Sequence, residues 1–137
     1  MTRFMISLEE AVEIVWTAFL DMVGGEIYVK KIPSMKVTDL AKTIAPKARL
    51  EFVGIRPGEK LHEQMIGEED SPSTFEYDGH FKILPTIHSW NIDRKRIKNG
   101  KKVTDGFRYT SENNSAWMTQ SCLNSWIKQN YNVIGRL

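Results

Sequence analysis

The stretch from Ser7 to Val23 leaves this chain the least choice of fold. Ser7 and Glu10 form a Ser-x-x-Glu pattern, in which the hydroxyl and the carboxylate each cap a backbone amide of the other's residue. Leu8, Ala11, Val12, Val15, Trp16, Phe19 and Leu20 then recur at helical spacing. Gly24 and Gly25 supply a left-handed stop. The pattern predicts a helix over about residues 8–22 with one broad buried stripe, which requires a second layer of structure to cover it.

The next segments point to what that layer is. Glu26, Tyr28 and Lys30 alternate with Ile27 and Val29, as in a strand over about 26–30 that Pro33 ends. Thr38 is placed to cap a second helix over about 38–45, stopped by Pro46. Leu50–Val53 reads as a strand, and the residues after Gly58 as a short helix over about 59–66. Asp78-Gly79 is a hairpin dipeptide between strands near 75–77 and 81–84. Residues 90–115 show little periodicity, and Thr119 is placed to cap a last helix over about 119–129. Alternating helices and strands imply a layered α/β fold. The expected division is a lobe over residues 1–84 and an irregular tail over 85–137, ending in a helix and packed on the same domain.

Composition closes off several function classes. The 137 residues are 41% hydrophobic and 26% charged, which is ordinary for one modest globular domain. Nineteen Lys and Arg against seventeen Asp and Glu leave +2, too little to argue for nucleic acid. The basic run Arg94, Lys95, Arg96, Lys98, Lys101, Lys102 lacks a stacking platform and reads as a solvated loop. One cysteine, Cys122, excludes an internal disulfide framework and fits a reducing compartment, so the cytoplasm is expected. No stretch has the roughly 20 apolar residues of a membrane span. His62, His80, His88 and Cys122 lack zinc-type spacing, and no metal site is expected.

The strongest chemical signal is Arg56-Pro57-Gly58-Glu59. A guanidinium presents a rigid fork that matches phosphate oxygens. Pro57 fixes the chain direction, Gly58 allows close approach, and Glu59 offers a carboxylate suited to a ribose diol. An exposed turn closed by an Arg–Glu pair explains the same residues. Thr2 and Arg3 are a second candidate, a hydroxyl beside a guanidinium, against the plainer reading of a solvated terminus. No Gly-x-Gly-x-x-Gly turn is present, and none of the four tyrosines has a lysine four positions later. No residue is therefore expected to be catalytic, and no cofactor is expected to bind this chain by itself.

Met1-Thr2-Arg3-Phe4, Gly25-Glu26-Ile27-Tyr28-Val29, Ile32-Pro33-Ser34-Met35 and Gly54-Ile55-Arg56-Pro57-Gly58-Glu59-Lys60-Leu61-His62-Glu63 occur in that order. Phe107–Asn114 and Trp117-Met118-Thr119 follow. Together these motifs resemble the carboxy-terminal part of the UDP-N-acetylglucosamine 4,6-dehydratases, in the polysaccharide-biosynthesis branch of the extended short-chain dehydrogenase/reductase superfamily. The resemblance implies a small mixed α/β substrate-binding lobe without its Rossmann domain. It implies NADP as the cofactor of the intact enzymes and a UDP-amino sugar, such as UDP-N-acetylglucosamine, as substrate. A hydride leaves carbon 4, water is lost across carbons 5 and 6, and the hydride returns at carbon 6. Arg56 and Glu59 map onto residues that contact the nucleotide, and Thr2 and Arg3 onto residues near the sugar nucleotide. The expected protein is a UDP-sugar-binding portion, inactive alone, whose partners are an amino-terminal Rossmann domain and further copies of itself. The rival reading is a non-catalytic protein-interaction module in which the Arg56 turn is structural.

Overall fold

The computed structural model describes residues 1–130; residues 131–137, the end of the expected tail, lie outside the described residues. In chain order the elements are β1 (Thr2–Phe4), α1 (Leu8–Asp21), β2 (Ile27–Lys30), β3 (Ser34–Lys36), α2 (Val37–Ile44), β4 (Gln64–Ile66), β5 (Thr74–Glu76), β6 (His80–Ile83), α3 (Arg94–Ile97), β7 (Lys101–Lys102), β8 (Tyr109–Thr110) and α4 (Gln120–Gln129). Short 3-10 turns occupy Glu68–Ser73 and Ile87–Ile92. No described helix is long and apolar enough to cross a membrane. The mixed α/β composition agrees with the sequence reading.

The chain forms two compact units, each assembled from separated segments. The first takes Met1–Met5, Ile32–Glu63 and the chain from Thr110 onward; the second takes Ile6–Lys31 and Gln64–Tyr109. The chain passes from one unit to the other between residues 5 and 6, 31 and 32, 63 and 64, and 109 and 110, so each unit joins segments far apart in sequence.

In the first unit β1 and β3 pair antiparallel, with Thr2 opposite Lys36 and Phe4 opposite Ser34. Helices α2 and α4 pack together beside them. Ile32, Met35 and Leu123 are buried. Asn114 donates from Nδ2 to the Ile32 carbonyl at 2.7 Å and to Ser34 Oγ at 3.0 Å, tying the late chain to the β3 region. Thr119 caps α4 as its sequence position predicts, accepting from the Cys122 amide. Thr38 does not cap α2: the N-cap is Lys36, without a side-chain bond, because the helix follows β3 with no residue between them.

The second unit holds a four-stranded antiparallel sheet in the order β2-β6-β5-β7. The β5–β6 hairpin turns through Asp78-Gly79, within a residue of the predicted bounds. Val29, Phe75, Phe81 and Leu84 are buried, and Phe81 packs against Phe107 and Tyr109 with ring centroids 5.2 and 5.1 Å apart. Helix α1 lies beside β2 and begins with the predicted capping box at Ser7 and Glu10.

The predicted stripe of α1 is present, but it is not buried. Leu8, Val12, Val15, Trp16, Phe19 and Leu20 are 46% to 82% exposed. The half-buried positions are Glu10, Ala11, Ile14, Ala18 and Asp21. Small side chains let the helix lie close to β2, and polar contacts hold it there. Lys30 donates from Nζ to the Glu10 carbonyl at 3.1 Å and pairs with Glu13 at 2.8 Å. Asp21 bonds Tyr28 Oη at 2.7 Å and Lys82 Nζ at 2.5 Å, and Lys98 pairs with it as well.

The other differences concern residues 50–66. No strand forms at 50–53, since no described strand offers that segment a ladder. No helix forms at 59–66; the last three of these residues are β4, which pairs with β8 and buries Ile66 completely. The basic run is also more structured than a solvated loop. Arg94–Ile97 is a turn of helix, and Arg96 is buried, paired with Glu26 at 2.6 Å and 4.0 Å from the Trp90 ring centre.

Lys82 is 1% exposed, so its ammonium depends on the Asp21 carboxylate and the Arg96 carbonyl 3.0 Å away. Burial works against the Asp21 carboxylate, but hydrogen bonds from Lys82, Lys98 and Tyr28 outweigh it and hold its pKa well below the ordinary value. Asp21→Ala leaves a buried cation without its counter-charge and should destabilise the fold by about 3 kcal/mol. Asp21→Ala with Lys82→Met should recover most of that loss. Because the folded pKa is depressed, the Asp21 contribution is complete above about pH 4 and lost as the pH falls through its folded value. Urea titrations of the three proteins between pH 7 and pH 2 check both statements: the wild-type advantage over the double variant should shrink only in acid.

Candidate functional site

Pro46 follows the last residue of α2's cap, and the chain then runs without helix or strand as far as Glu63. Within that run Arg56-Pro57-Gly58-Glu59 closes on itself. The Glu59 amide donates to the Arg56 carbonyl at 3.0 Å, and the Arg56 amide donates to Glu59 Oε2 at 3.0 Å. Pro57 fills the second position and Gly58 the third, with φ +85°. Proline there, a positive-φ glycine next and a bond across four residues define a type II turn. A side chain at Gly58 would meet nothing within 4 Å, so the turn needs glycine for its backbone angle and not for space.

Arg56 and Glu59 belong to the lining of one groove of about 500 Å³. The rest of the lining is mostly apolar and includes Met1, Val37, Ala41, Phe52, Ile55 and Leu61. Among the described residues the Arg56 guanidinium makes no hydrogen bond or ion pair. One oxygen of the Glu59 carboxylate serves the turn and the other is unengaged among the described residues. A cation whose donors are open among the described residues, a carboxylate oxygen and an apolar wall are chemically suited to an anionic ligand with a flat apolar part. The two residues thus share one groove, although neither flanks a strand or a helix.

Thr2 and Arg3 stand differently. The Arg3 guanidinium donates to the carbonyls of Thr2 at 2.7 Å, Lys60 at 2.9 Å and Leu61 at 3.4 Å, and its Nε lies 3.2 Å from Glu63. The Thr2 amide donates to the Leu61 carbonyl at 2.9 Å. The Thr2 hydroxyl is buried, 2.8 Å from His62 Nδ1 and 2.7 Å from Ser111 Oγ. Both residues are therefore bonded to the segment that leaves the turn.

Three residues in this array are assigned no role by the sequence reading: His62, Ser111 and Glu112. Ser111 Oγ accepts from the Glu63 amide at 2.9 Å, the Ser111 amide donates to the Glu63 carbonyl at 2.8 Å, and His62 Nε2 lies 3.2 Å from Glu112. The signal for them lies in two motifs, Leu61-His62-Glu63 and Thr110-Ser111-Glu112, whose Glu63 and Ser111 are 48 positions apart in sequence and meet only in the fold.

The described residues form no glycine-rich phosphate turn. The phosphate turn that dinucleotide cofactors require places several glycines between a strand and a helix. Among the described residues the positive-φ glycines are Gly24-Gly25, Gly54, Gly58 and Gly106, and none of these lies in a strand-to-helix turn. Among the described residues no cluster of three metal-ligating side chains exists.

Comparison with known proteins places this geometry in a lineage. The chain is 47% identical over 125 residues to a UDP-N-acetylglucosamine 4,6-dehydratase (inverting) of Campylobacter jejuni serotype O:2, a match covering 88% of this chain and 37% of that protein. It is 32% identical over 117 residues to a UDP-glucose 4-epimerase of Rickettsia akari, covering 82% of this chain and 34% of the epimerase. Its fold is similar to the X-ray structure of Pen from Bacillus thuringiensis, with a TM-score of 0.73 and 25% identity over 95% of this chain and 38% of that one. The chain thus spans less than two-fifths of the length of these relatives. The profile of the polysaccharide biosynthesis protein family matches residues 1–85, more than half of the sequence, and the chain belongs to that family.

Proposed function

We propose that this chain is the UDP-sugar-binding, carboxy-terminal portion of an enzyme of the UDP-N-acetylglucosamine 4,6-dehydratase type. The observation that carries this reading is the 47% identity to a protein of that name across nearly all of this chain. The Arg56–Glu59 turn in its apolar groove supports it independently. In this reading the Arg56 guanidinium meets the pyrophosphate, Glu59 accepts from a ribose hydroxyl, and the groove wall covers the base. Thr2 and Arg3 serve the same ligand by holding the chain that leaves the turn.

Hydride transfer belongs, in this proposal, to a separate dinucleotide-binding portion that carries NADP. This chain's own residues bind and orient the substrate and make no step in the transfer. The exposed apolar stripe of α1 supports a covering partner, because contiguous apolar patches of that kind mark interaction surfaces. We take the partner to be the remainder of the enzyme, with self-association through the same stripe when the chain is alone. In this reading the assembly works in the cytoplasm; the single cysteine is consistent with a reducing compartment.

Calorimetry of the chain with UDP tests the binding claim. Arg56→Ala should weaken UDP by roughly ten- to a hundredfold, the equivalent of about 1.5–3 kcal/mol for a charge-assisted contact. Arg56→Lys should restore part of that, since an ammonium lacks the two-pronged fork. Glu59→Gln should weaken binding less, because the amide oxygen still accepts. A chain that ignores UDP is the interaction module of the rival reading.

Two further outcomes follow from the same reading. The pure chain with UDP-N-acetylglucosamine and NADP should form no 4-keto product, which a carbonyl-specific assay detects. Light scattering should show the wild-type chain associating with rising concentration. Phe19→Glu, which puts a charge in the middle of the stripe, should shift it toward monomer; a wild-type chain that stays monomeric removes the support that α1 lends.

A further inference from the structure

The bonds that anchor the Arg56 segment carry one proton per link, and following those protons fixes their direction. The Glu63 amide can only donate, so it takes an acceptor site on Ser111 Oγ. Ser111 is 0% exposed, and its hydroxyl has one other contact, Thr2 Oγ1 at 2.7 Å. A buried hydroxyl proton needs an acceptor, so Ser111 donates to Thr2. The Thr2 proton is then directed at His62 Nδ1, 2.8 Å away. Nδ1 must accept, which leaves the imidazole proton on Nε2, facing Glu112 Oε2 at 3.2 Å. A ring carrying a proton on Nδ1 would donate to Thr2, and one hydroxyl proton of the pair, that of Thr2 or that of Ser111, would then have no acceptor in the interior. Thr2 is 6% exposed and its hydroxyl is engaged on both sides, so this carboxylate–imidazole–hydroxyl array holds a position and does not attack a substrate.

What it holds is the turn. Among the described residues, those from Arg49 to Ile55 make no hydrogen bond or ion pair, so the turn is not tethered through them. On its other side the Lys60 and Leu61 carbonyls, the His62 ring and the Glu63 backbone are all bonded, beginning one residue after Glu59. We propose that His62, kept in its Nε2–H form between Glu112 and the Thr2–Ser111 hydroxyl pair, is a positioning residue that sets the Arg56–Glu59 turn at its groove. The ligand it serves rests on the UDP reading above; the direction of the proton chain does not.

Three measurements on the 137-residue chain test this. Long-range proton–nitrogen correlation spectra should show His62 with its proton on Nε2. His62→Ala should speed amide exchange at Thr2 and Glu63 at least tenfold, and should weaken binding of UDP, the probe used, about tenfold. His62→Asn, whose side-chain oxygen still accepts from Thr2, should recover most of both. In an Arg56→Ala background His62→Ala should weaken UDP no further, because a residue that acts through Arg56 has nothing left to act on. General loss of stability has no reason to give that non-additivity. If His62→Ala does not fold, Glu112→Ala at a half-exposed carboxylate replaces it, with an expected threefold effect on exchange and UDP affinity. A proton on Nδ1, unchanged exchange, or losses that multiply in the double variant each overturn the proposal. A wild-type chain with the Nε2–H form and the exchange response, yet no affinity for UDP, overturns the binding reading and leaves the positioning chain standing.

Discussion

The first unit depends on how a long irregular segment gets its backbone bonded. Residues 45–63 form neither helix nor strand, so no ladder satisfies their polar groups. Two residues of β1 do much of that work. The Thr2 amide and the Arg3 guanidinium take the carbonyls at 60 and 61, and the Thr2 hydroxyl joins His62 to Ser111. Because β1 is itself paired with β3, the segment is referred to a sheet through one strand of three residues. That is why a short strand near the start of the sequence governs a turn more than fifty residues later.

The second unit solves a different problem, a layer interface with charge inside it. Lys82 alternates onto the side of β6 where α1 ends, and its ammonium is almost fully buried. Tyr28 and Tyr77 flank it, with their ring centres 5.3 and 4.8 Å from Nζ. Burial, then the nearby Asp21 and Glu26 charges, push the Tyr77 phenol up to about 12, so it stays a neutral ring beside the cation across the ordinary pH range. Arg96 and Glu26 repeat the arrangement a short way along, with Trp90 over the guanidinium. Such pairs add little net stability over a well-packed apolar pair, but removing one partner is costly, which makes the register of α1 on β2 hard to slip.

The parts of this fold legible in the sequence are those set by neighbouring residues. The capping box at Ser7, the Thr119 cap and the Asp78-Gly79 hairpin each involve atoms within four positions, and the structure has all of them. The Arg56–Glu59 turn is of the same kind. What was not legible depends on partners far along the chain. The periodicity of α1 gives a helix and a stripe, but Ala11, Ala18 and Asp21 decide which side meets β2, and only the fold shows that. Leu50–Val53 has the composition of a strand and no strand to pair with. His62 and Ser111 look like ordinary polar residues until the chain brings them to one threonine.

Three arginines show why residue type alone does not identify a binding group. A guanidinium has five N–H donors and binds a ligand only with those its own protein leaves open. Arg3 lies among carbonyls of a segment that has no ladder, and they take its donors, with Glu63 at Nε. Arg96 is buried, where its charge needs Glu26 and the Gly24 carbonyl, at 2.6 and 2.5 Å. Arg56 sits in a turn whose own carbonyl and carboxylate bond to backbone amides, and among the described residues none takes the guanidinium. The turn that exposes Arg56 is thus also the reason it is free. Glu59, by capping the Arg56 amide and not pairing with its side chain, keeps the carboxylate beside the cation without neutralising it by contact. For the proposed anionic ligand, a cation with no internal bond to break among the described residues meets the condition under which a charge-assisted contact contributes its full strength to binding.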